Sequence, residues 1–152
     1  MQPFPPTVIL RHQRENLKKC SLRGLEKRED FLFFTYPKDS LPPLDGYIVL
    51  ALDAPPLSTE DFASGLFLID GTWRYAEKMY HNTKGVAQLT KRSLPPHYRT
   101  AYPRRQEDCE DPERGLASIE ALYIAYHLLG RETEGLLDHY HWKEDFLLKN
   151  SL

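Results

Sequence analysis

The chain has 152 residues, enough for one domain with its own hydrophobic core. Hydrophobic residues make up 41% and charged residues 28% of the composition, which excludes an intrinsically disordered chain. The net charge of -2 argues against indiscriminate nucleic-acid binding.

The cysteines and the N-terminus indicate a reducing compartment. Cys20 and Cys109 lie far apart and in no CxxC or CxH pattern, so neither a disulfide framework nor a zinc site is expected. The N-terminus lacks the basic segment and apolar run of a signal peptide. No apolar stretch approaches the length of about 18 residues that a membrane span needs. We therefore expect a cytoplasmic protein with no membrane partner and no metal ion.

Apolar runs in the first half of the chain predict strands. These runs occupy residues 7–12, 30–37, 46–53 and 65–70. They are continuously apolar and not alternating, so we expect strands covered on both faces, in a mostly parallel sheet of about five strands. Asn16 predicts the start of a short basic helix over residues 17–27, and Ser58 predicts the start of another short helix.

The second half predicts mainly helices. One helix should run from Trp73 to about residue 81, and a second over residues 115–130, where Gly130 is a C-terminal stop. A last helix is expected from about residue 133 to 149. Between them, the prolines of residues 93–106 predict an extended loop or an edge strand. The predicted fold class is α/β, a small sheet with helices and a mainly helical C-terminal half.

Two basic segments are candidates for binding phosphates. Residues 11–28 carry seven basic and two acidic side chains, a local net charge of +5. Positive charge concentrated on a near-neutral chain suits a phosphate-bearing partner, although a solvated helix face is the alternative. In the second segment, Arg104 and Arg105 stand beside Tyr102, which combines guanidinium groups with a stacking ring. The alternative there is a solvated loop.

The segment LIDGTW, residues 68–73, is a candidate ligand site. An apolar strand ends on Asp70, Gly71 allows a tight turn, and Thr72 can cap the helix that begins at Trp73. In open α/β sheets, ligands bind at the carboxyl ends of the strands. The alternative is that Asp70 merely caps the helix and that Trp73 packs in the core.

A second candidate is GLASIEA, residues 115–121. Small residues at a helix start leave free N–H groups open to a polar ligand. The alternative is an ordinary helix start at which Glu120 complements the helix dipole. The histidine group formed by His127, His139 and His141 does not predict a metal site, because an i, i+2 pair on a helix does not face one side.

These segments together resemble one superfamily. LIDGTWRYAEKM, residues 68–79, is similar to the signature of the DTW-domain proteins, and RRQ (104–106) and GLASIEAL (115–122) resemble two further elements of that family. Three other segments resemble the related ribosomal-RNA aminocarboxypropyltransferases; they are residues 16–28, 56–61 and 141–150. The resemblance covers nearly the whole chain in the same order.

The resemblance implies a fold and an activity. The implied fold is one SPOUT-like transferase domain over residues 1–152, with an α/β half at about 5–92 and a half bearing a trefoil knot at about 93–152. The implied activity transfers the 3-amino-3-carboxypropyl group of S-adenosylmethionine to a uridine or pseudouridine nitrogen in tRNA or rRNA, releasing methylthioadenosine. The alternatives are a SPOUT-like RNA methyltransferase and a non-catalytic RNA-binding or ribosome-assembly factor.

The resemblance also implies roles for individual residues. Asp70 would be catalytic, as a possible base or as the group that sets the pose of the cofactor. The cofactor-binding residues would be Ser21, Val49, Leu50, Ala51, Asp70, Thr72, Trp73, Tyr98, Leu116, Ala117 and Ala121. The RNA-binding residues would be Lys18, Lys19, Arg23, Arg104 and Arg105. The loop at 101–108 departs from the rRNA enzymes, and the cysteine-rich motif of tRNA-type DTW proteins is absent, so the choice between tRNA and rRNA stays open.

Overall fold

The centre of the fold is a five-stranded sheet. The computed structural model describes residues 3–14, 21–51, 53–71, 73–102 and 116–152, without the side chains of residues 73 and 74. The strands are β1 (Thr7–His12), β2 (Phe31–Tyr36), β3 (Tyr47–Leu50), β4 (Gly65–Asp70) and β5 (Thr90–Arg92). Their order is β2-β1-β4-β3-β5, and every neighbouring pair is parallel. The predicted parallel α/β sheet of about five strands is confirmed.

The continuous apolar runs are explained by the position of their strands. All six residues of β1 are buried, because β1 lies between β2 and β4 in the middle of the sheet. Such a strand needs apolar residues on both faces. The register places Arg11 of β1 opposite Asp70 of β4, at the edge where the strands end.

Helices cover the two faces of the sheet. Helix α1 (Trp73–Asn82) packs on the face where Val8, Leu10 and Phe67 meet Met79. The longer helix α2 (Ser118–Leu129) packs on the opposite face, in the larger core. The predicted helices at 73–81 and 115–130 are confirmed, and Gly130 ends α2 with the expected positive φ of 80°.

Two predicted helices are wrong over much of their length. For the helix predicted over 17–27, residues 21–27 form turns and the 3₁₀ helix Leu25–Lys27, because Gly24 adopts a φ of 98° that interrupts an α-helix. Asn16 and residues 17–20 lie outside the described residues. Residues 133–142 also form turns, with Gly135 at a φ of 84°, and α3 spans only Lys143–Lys149. The structure therefore does not confirm a mainly helical C-terminal half, nor does it confirm a knot.

Smaller differences concern strand ends. The strand predicted over 46–53 ends at Leu50. The edge strand β5, Thr90–Arg92, was not predicted, and the described residues 93–102 form the expected loop, with a single bridge between Ser93 and Pro56. Residues 103–106 lie outside the described residues. The short helix predicted at Ser58 is the 3₁₀ helix Thr59–Asp61, with Ser58 and Asp61 forming a capping box. No helix in the described part of the chain is long and apolar enough to cross a membrane.

A candidate ligand site at the carboxyl edge of the sheet

A buried ion pair joins the two central strands where they end. The Nε of Arg11 donates to Oδ2 of Asp70 over 3.3 Å, and the two residues are 8% and 4% exposed. The same guanidinium lies 4.7 Å from the centre of the Phe33 ring and donates through Nη1 to Glu26 over 3.2 Å. The local sequence places Asp70 at this edge because it is the last residue of an apolar strand.

Helix α2 supplies a second partner for Asp70. The hydroxyl of Ser118, the first residue of α2, donates to Oδ1 of Asp70 over 2.7 Å. Asp70 therefore connects β1, β4 and the start of α2. The alternative from the sequence, that Asp70 merely caps α1, does not account for these contacts. A carboxylate held on both oxygens has a fixed orientation.

Ser21 meets the same turn of α2. Its Oγ accepts a hydrogen bond from the backbone N–H of Ile119 over 3.2 Å, across 98 positions of sequence. Leu116 and Ala117 directly precede Ser118, and the backbone N–H of Ala121 donates to the carbonyl of Ala117 over 3.0 Å. The structure thus brings the predicted residues Ser21, Asp70, Leu116, Ala117 and Ala121 to one place.

Glu120 organises this turn, although sequence reasoning gave it only a dipole role. Its carboxylate is fully buried and accepts hydrogen bonds from Thr100, Ala101, Ala117 and Tyr140. The sequence did carry one indication of this role, because Glu120 is an acidic residue in a helix whose other positions are mostly apolar. A buried carboxylate in such a helix needs several hydrogen-bond donors. Arg11 and Ser118 were also missed as partners of Asp70, because only the strand register brings them close.

The three predicted residues at the end of β3 do not share one face. Leu50 packs on the α2 side, whereas the side chain of Val49 lies in the core beneath α1. The backbone N–H of Ala51 donates to the carbonyl of Arg92 over 2.8 Å, which fixes the end of the strand. Leu50 can therefore face the side of the sheet that carries Asp70, but the side chain of Val49 cannot.

The structure describes only some of the remaining predicted residues. Tyr98 is buried in the core on the α2 side, and its ring packs on His97 with 4.2 Å between the ring centres. Arg23 is exposed. Trp73 begins α1, but its side chain lies outside the described set, as do the residues Lys18, Lys19, Thr72, Arg104 and Arg105.

Two titratable side chains stand close to the site. His12 ends β1 and stacks on Tyr75, with ring centres 4.0 Å apart; burial, together with the charge of Arg14, lowers the pKa of His12. Burial alone would raise the pKa of Glu26, but hydrogen bonds from its own and Gly24's backbone N–H and from Arg11 outweigh it, so this pKa is also lowered. At neutral pH the edge thus carries a neutral imidazole at His12 and an ionised carboxylate at Glu26.

In the described part of the chain, these residues coincide neither with a metal cluster nor with the cavity on the α1 side. Among the described residues, no three His, Cys, Asp or Glu side chains come together as a metal site. A cavity of about 770 Å³ lies on the α1 side, where Tyr36, Asn82 and Lys84 are among its walls. Its walls include neither Asp70 nor Ser21, so it is separate from the candidate site.

Comparison with known proteins found a matching family and a solved structure of similar fold. The family model described as the DTW domain matches residues 4–148. Among solved structures, the fold is similar to that of the SAM-dependent rRNA:acp-transferase Tsr3 from Vulcanisaeta distributa. The TM-score is 0.72 at 24% sequence identity, and the match covers 96% of this chain and 79% of that chain. No curated protein matches the sequence.

Proposed function

This chain belongs to the DTW domain family, and we propose that it is an enzyme that transfers the 3-amino-3-carboxypropyl group of S-adenosylmethionine to RNA. The acceptor in this proposal is a nitrogen of uridine or pseudouridine in tRNA or rRNA. The structural relative, whose name describes a SAM-dependent rRNA acp-transferase, supports this choice of reaction. The observation that carries the proposal is the meeting of Asp70, Ser21 and the first turn of α2 at the carboxyl edge of the sheet.

The groups at this edge fit the polar parts of S-adenosylmethionine. Arg11 and Ser118 fix the orientation of the Asp70 carboxylate at this edge. It can accept from the ribose hydroxyls or from the ammonium group of the methionyl chain. The hydroxyl of Ser21 accepts from Ile119, so its proton can be donated to a ligand oxygen. The proposed set also contains the residues that the family resemblance implies, Leu50, Ala51, Thr72, Trp73, Tyr98, Leu116, Ala117 and Ala121.

The proposed reaction is a single displacement. The base nitrogen attacks the γ-carbon of the methionyl chain, the bond from that carbon to sulfur breaks, and methylthioadenosine leaves with the electron pair. The proton of the base nitrogen is released to water. Because a sulfonium is already a good leaving group, the protein contributes mainly by positioning, for which effective molarities reach about 10⁵–10⁸ M in favourable cases.

Asp70 is best suited to setting the pose of the cofactor. Arg11 and Ser118 already donate to its two oxygens, and taking a proton from the base would weaken both contacts. Transfer of the chain instead of the methyl group requires the methyl group to be buried. Leu50 and Ala51, with Trp73, are the proposed wall, since the side chain of Val49 packs on the other face.

RNA docking completes the proposal. The basic segment that includes Lys18, Lys19 and Arg23 would contact phosphates, together with Arg104 and Arg105, so binding should weaken as salt concentration rises.

We also propose that residues 1–152 form one SPOUT-like domain whose half at 93–152 carries the knot.

Nucleoside mass spectrometry tests this function. A strain that lacks the protein should lose a 3-amino-3-carboxypropyl-modified nucleoside from its tRNA or rRNA. The wild-type gene and the control Asp45→Ala, which changes an exposed carboxylate, should restore the nucleoside, whereas Asp70→Ala should not. Unchanged nucleosides in the strain that lacks the protein would contradict the proposal.

A further inference from the structure

Glu120 joins three separate parts of the chain through a buried carboxylate. Its Oε1 accepts from the hydroxyl of Thr100 over 2.6 Å and from the backbone N–H of Ala117 over 2.7 Å. Its Oε2 accepts from the backbone N–H of Ala101 and from the hydroxyl of Tyr140, each over 2.8 Å. Glu120 is 0% exposed, so water does not replace any of these four donors.

The arrangement requires a carboxylate and not an amide of the same shape. Each oxygen faces one hydroxyl, which can turn, and one backbone N–H, which cannot. A glutamine at this position would direct its NH₂ group at the N–H of either Ala117 or Ala101, whichever way the amide is turned. Two donors would then face each other in a fully buried place, where an unpaired polar group is costly.

The segments that Glu120 connects both carry residues that the proposed function assigns to the cofactor. Ala117 precedes Ser118, whose hydroxyl holds Asp70. Thr100 and Ala101 follow Tyr98, which the family resemblance implies as a cofactor contact. The carboxylate therefore fixes the distance between the start of α2 and the segment at 98–102.

Further contacts extend this link to the C-terminal turns. The backbone N–H of Tyr102 donates to the hydroxyl of Thr100 over 3.0 Å, and the Tyr102 ring meets Trp142 edge-on, 5.1 Å between ring centres. Tyr140 meets the same Trp142 ring at 6.0 Å. The segment at 98–102 thus contacts both Glu120 and the C-terminal turns.

We propose that Glu120 is a positioning residue that sets the width of the S-adenosylmethionine pocket, an inference that rests on the proposed function. It touches neither substrate nor cofactor. It acts through Ala117 and Ala101, because their N–H groups donate to different oxygens of the same carboxylate. Removal of the carboxylate should therefore change ligand affinity in protein that is still folded.

The test measures S-adenosylmethionine binding by calorimetry on four variants, at a temperature where near-ultraviolet circular dichroism shows each to be folded. Glu120→Gln should raise the Kd by roughly tenfold or more, as the loss of a bond to a charged group allows. Tyr140→Phe and Thr100→Val each remove one hydroxyl from Glu120 and leave the N–H groups of Ala117 and Ala101 paired with it, so each should raise the Kd by about twofold to tenfold. Thr100→Val also removes the acceptor of the Tyr102 N–H, so Tyr140→Phe is the cleaner of the two variants. Glu134→Gln makes the same chemical change at an exposed position and should leave the Kd unchanged.

The outcomes separate this inference from the proposed function. Wild-type protein that does not bind S-adenosylmethionine would overturn the proposed function and this inference with it. Wild-type binding with an unchanged Kd in folded Glu120→Gln would overturn the inference alone, since a purely structural role lowers the Tm without weakening binding by folded protein. If Glu120→Gln does not fold, unchanged Kd values in both Tyr140→Phe and Thr100→Val would overturn it.

Discussion

Replacing Asp70 with alanine removes an acceptor that two donors share at the sheet edge. Arg11, 8% exposed, would lose the partner of its Nε, and the hydroxyl of Ser118 would lose a bond of 2.7 Å. Removing one partner of a buried ion pair costs about 3–5 kcal/mol. Because Arg11 keeps its contact with the half-exposed Glu26, we expect the lower end, about 3 kcal/mol of unfolding free energy.

Asparagine at the same position separates charge from hydrogen bonding. Its amide oxygen can face Arg11 and its NH₂ group can donate to Ser118, whose hydroxyl can turn to accept. Both hydrogen bonds then survive and only the charge is lost, so Asp70→Asn should cost about 1–1.5 kcal/mol less than Asp70→Ala.

Urea denaturation at neutral pH measures these differences, with free energies extrapolated linearly to water. For a chain of this size, a loss of about 3 kcal/mol lowers the Tm by roughly 6–12 °C. The exposed control Asp45→Ala should stay within about 0.5 kcal/mol of the wild type. The reasoning is refuted if Asp70→Ala is as stable as this control, or if Asp70→Asn is no more stable than Asp70→Ala.

Three further predictions concern packing, pH and RNA. Gly65→Ala should lose about 1–3 kcal/mol in the same denaturation assay, because a Cβ there would lie 2.6 Å from the Tyr47 ring; wild-type stability would contradict this contact. The pKa of His12 is lower in the folded chain than in the unfolded chain. As the pH falls below about 6.5, the unfolded chain therefore binds a proton at this imidazole before the folded chain does, and the free energy of unfolding should decrease. His12→Phe should lack this part of the loss, and parallel stability curves for the variant and the wild type would contradict it. Arg23→Glu should weaken RNA binding and reduce the slope of log affinity against log salt concentration by about one, the contribution of one phosphate contact. An unchanged slope would exclude Arg23 from the interface.

The sheet was predictable because its central strands are apolar on both faces. The apolar run Val8, Ile9 and Leu10 of β1 is buried on both faces of the sheet, whereas a half-buried strand would alternate apolar and polar residues. Helix α2 was predictable from its period and from Gly130 at its end. The helices expected at 17–27 and 133–149 show the limit of this reasoning, since leucines that pack from a turn have similar spacings to leucines that pack from a helix. Gly24 and Gly135, both at positive φ, were the local signals against a helix.

The site was only partly predictable. Asp70 was found because it ends a strand and begins a recognisable turn. Its partners Arg11 and Ser118 are 59 and 48 positions away in sequence, and only the strand register and the docking of α2 bring them to it. Val49 and Leu50 lie on opposite faces of the sheet because side chains alternate along a strand.

Analysis of the small-molecule product tests the central claim most directly. Purified protein is incubated with RNA from a strain that lacks it and with S-adenosylmethionine labelled either at the carboxyl carbon or at the methyl carbon. We predict that the carboxyl label enters RNA, that the methyl label does not, and that methylthioadenosine is the product released. Methyl label in RNA together with S-adenosylhomocysteine would contradict the account and identify a methyltransferase instead.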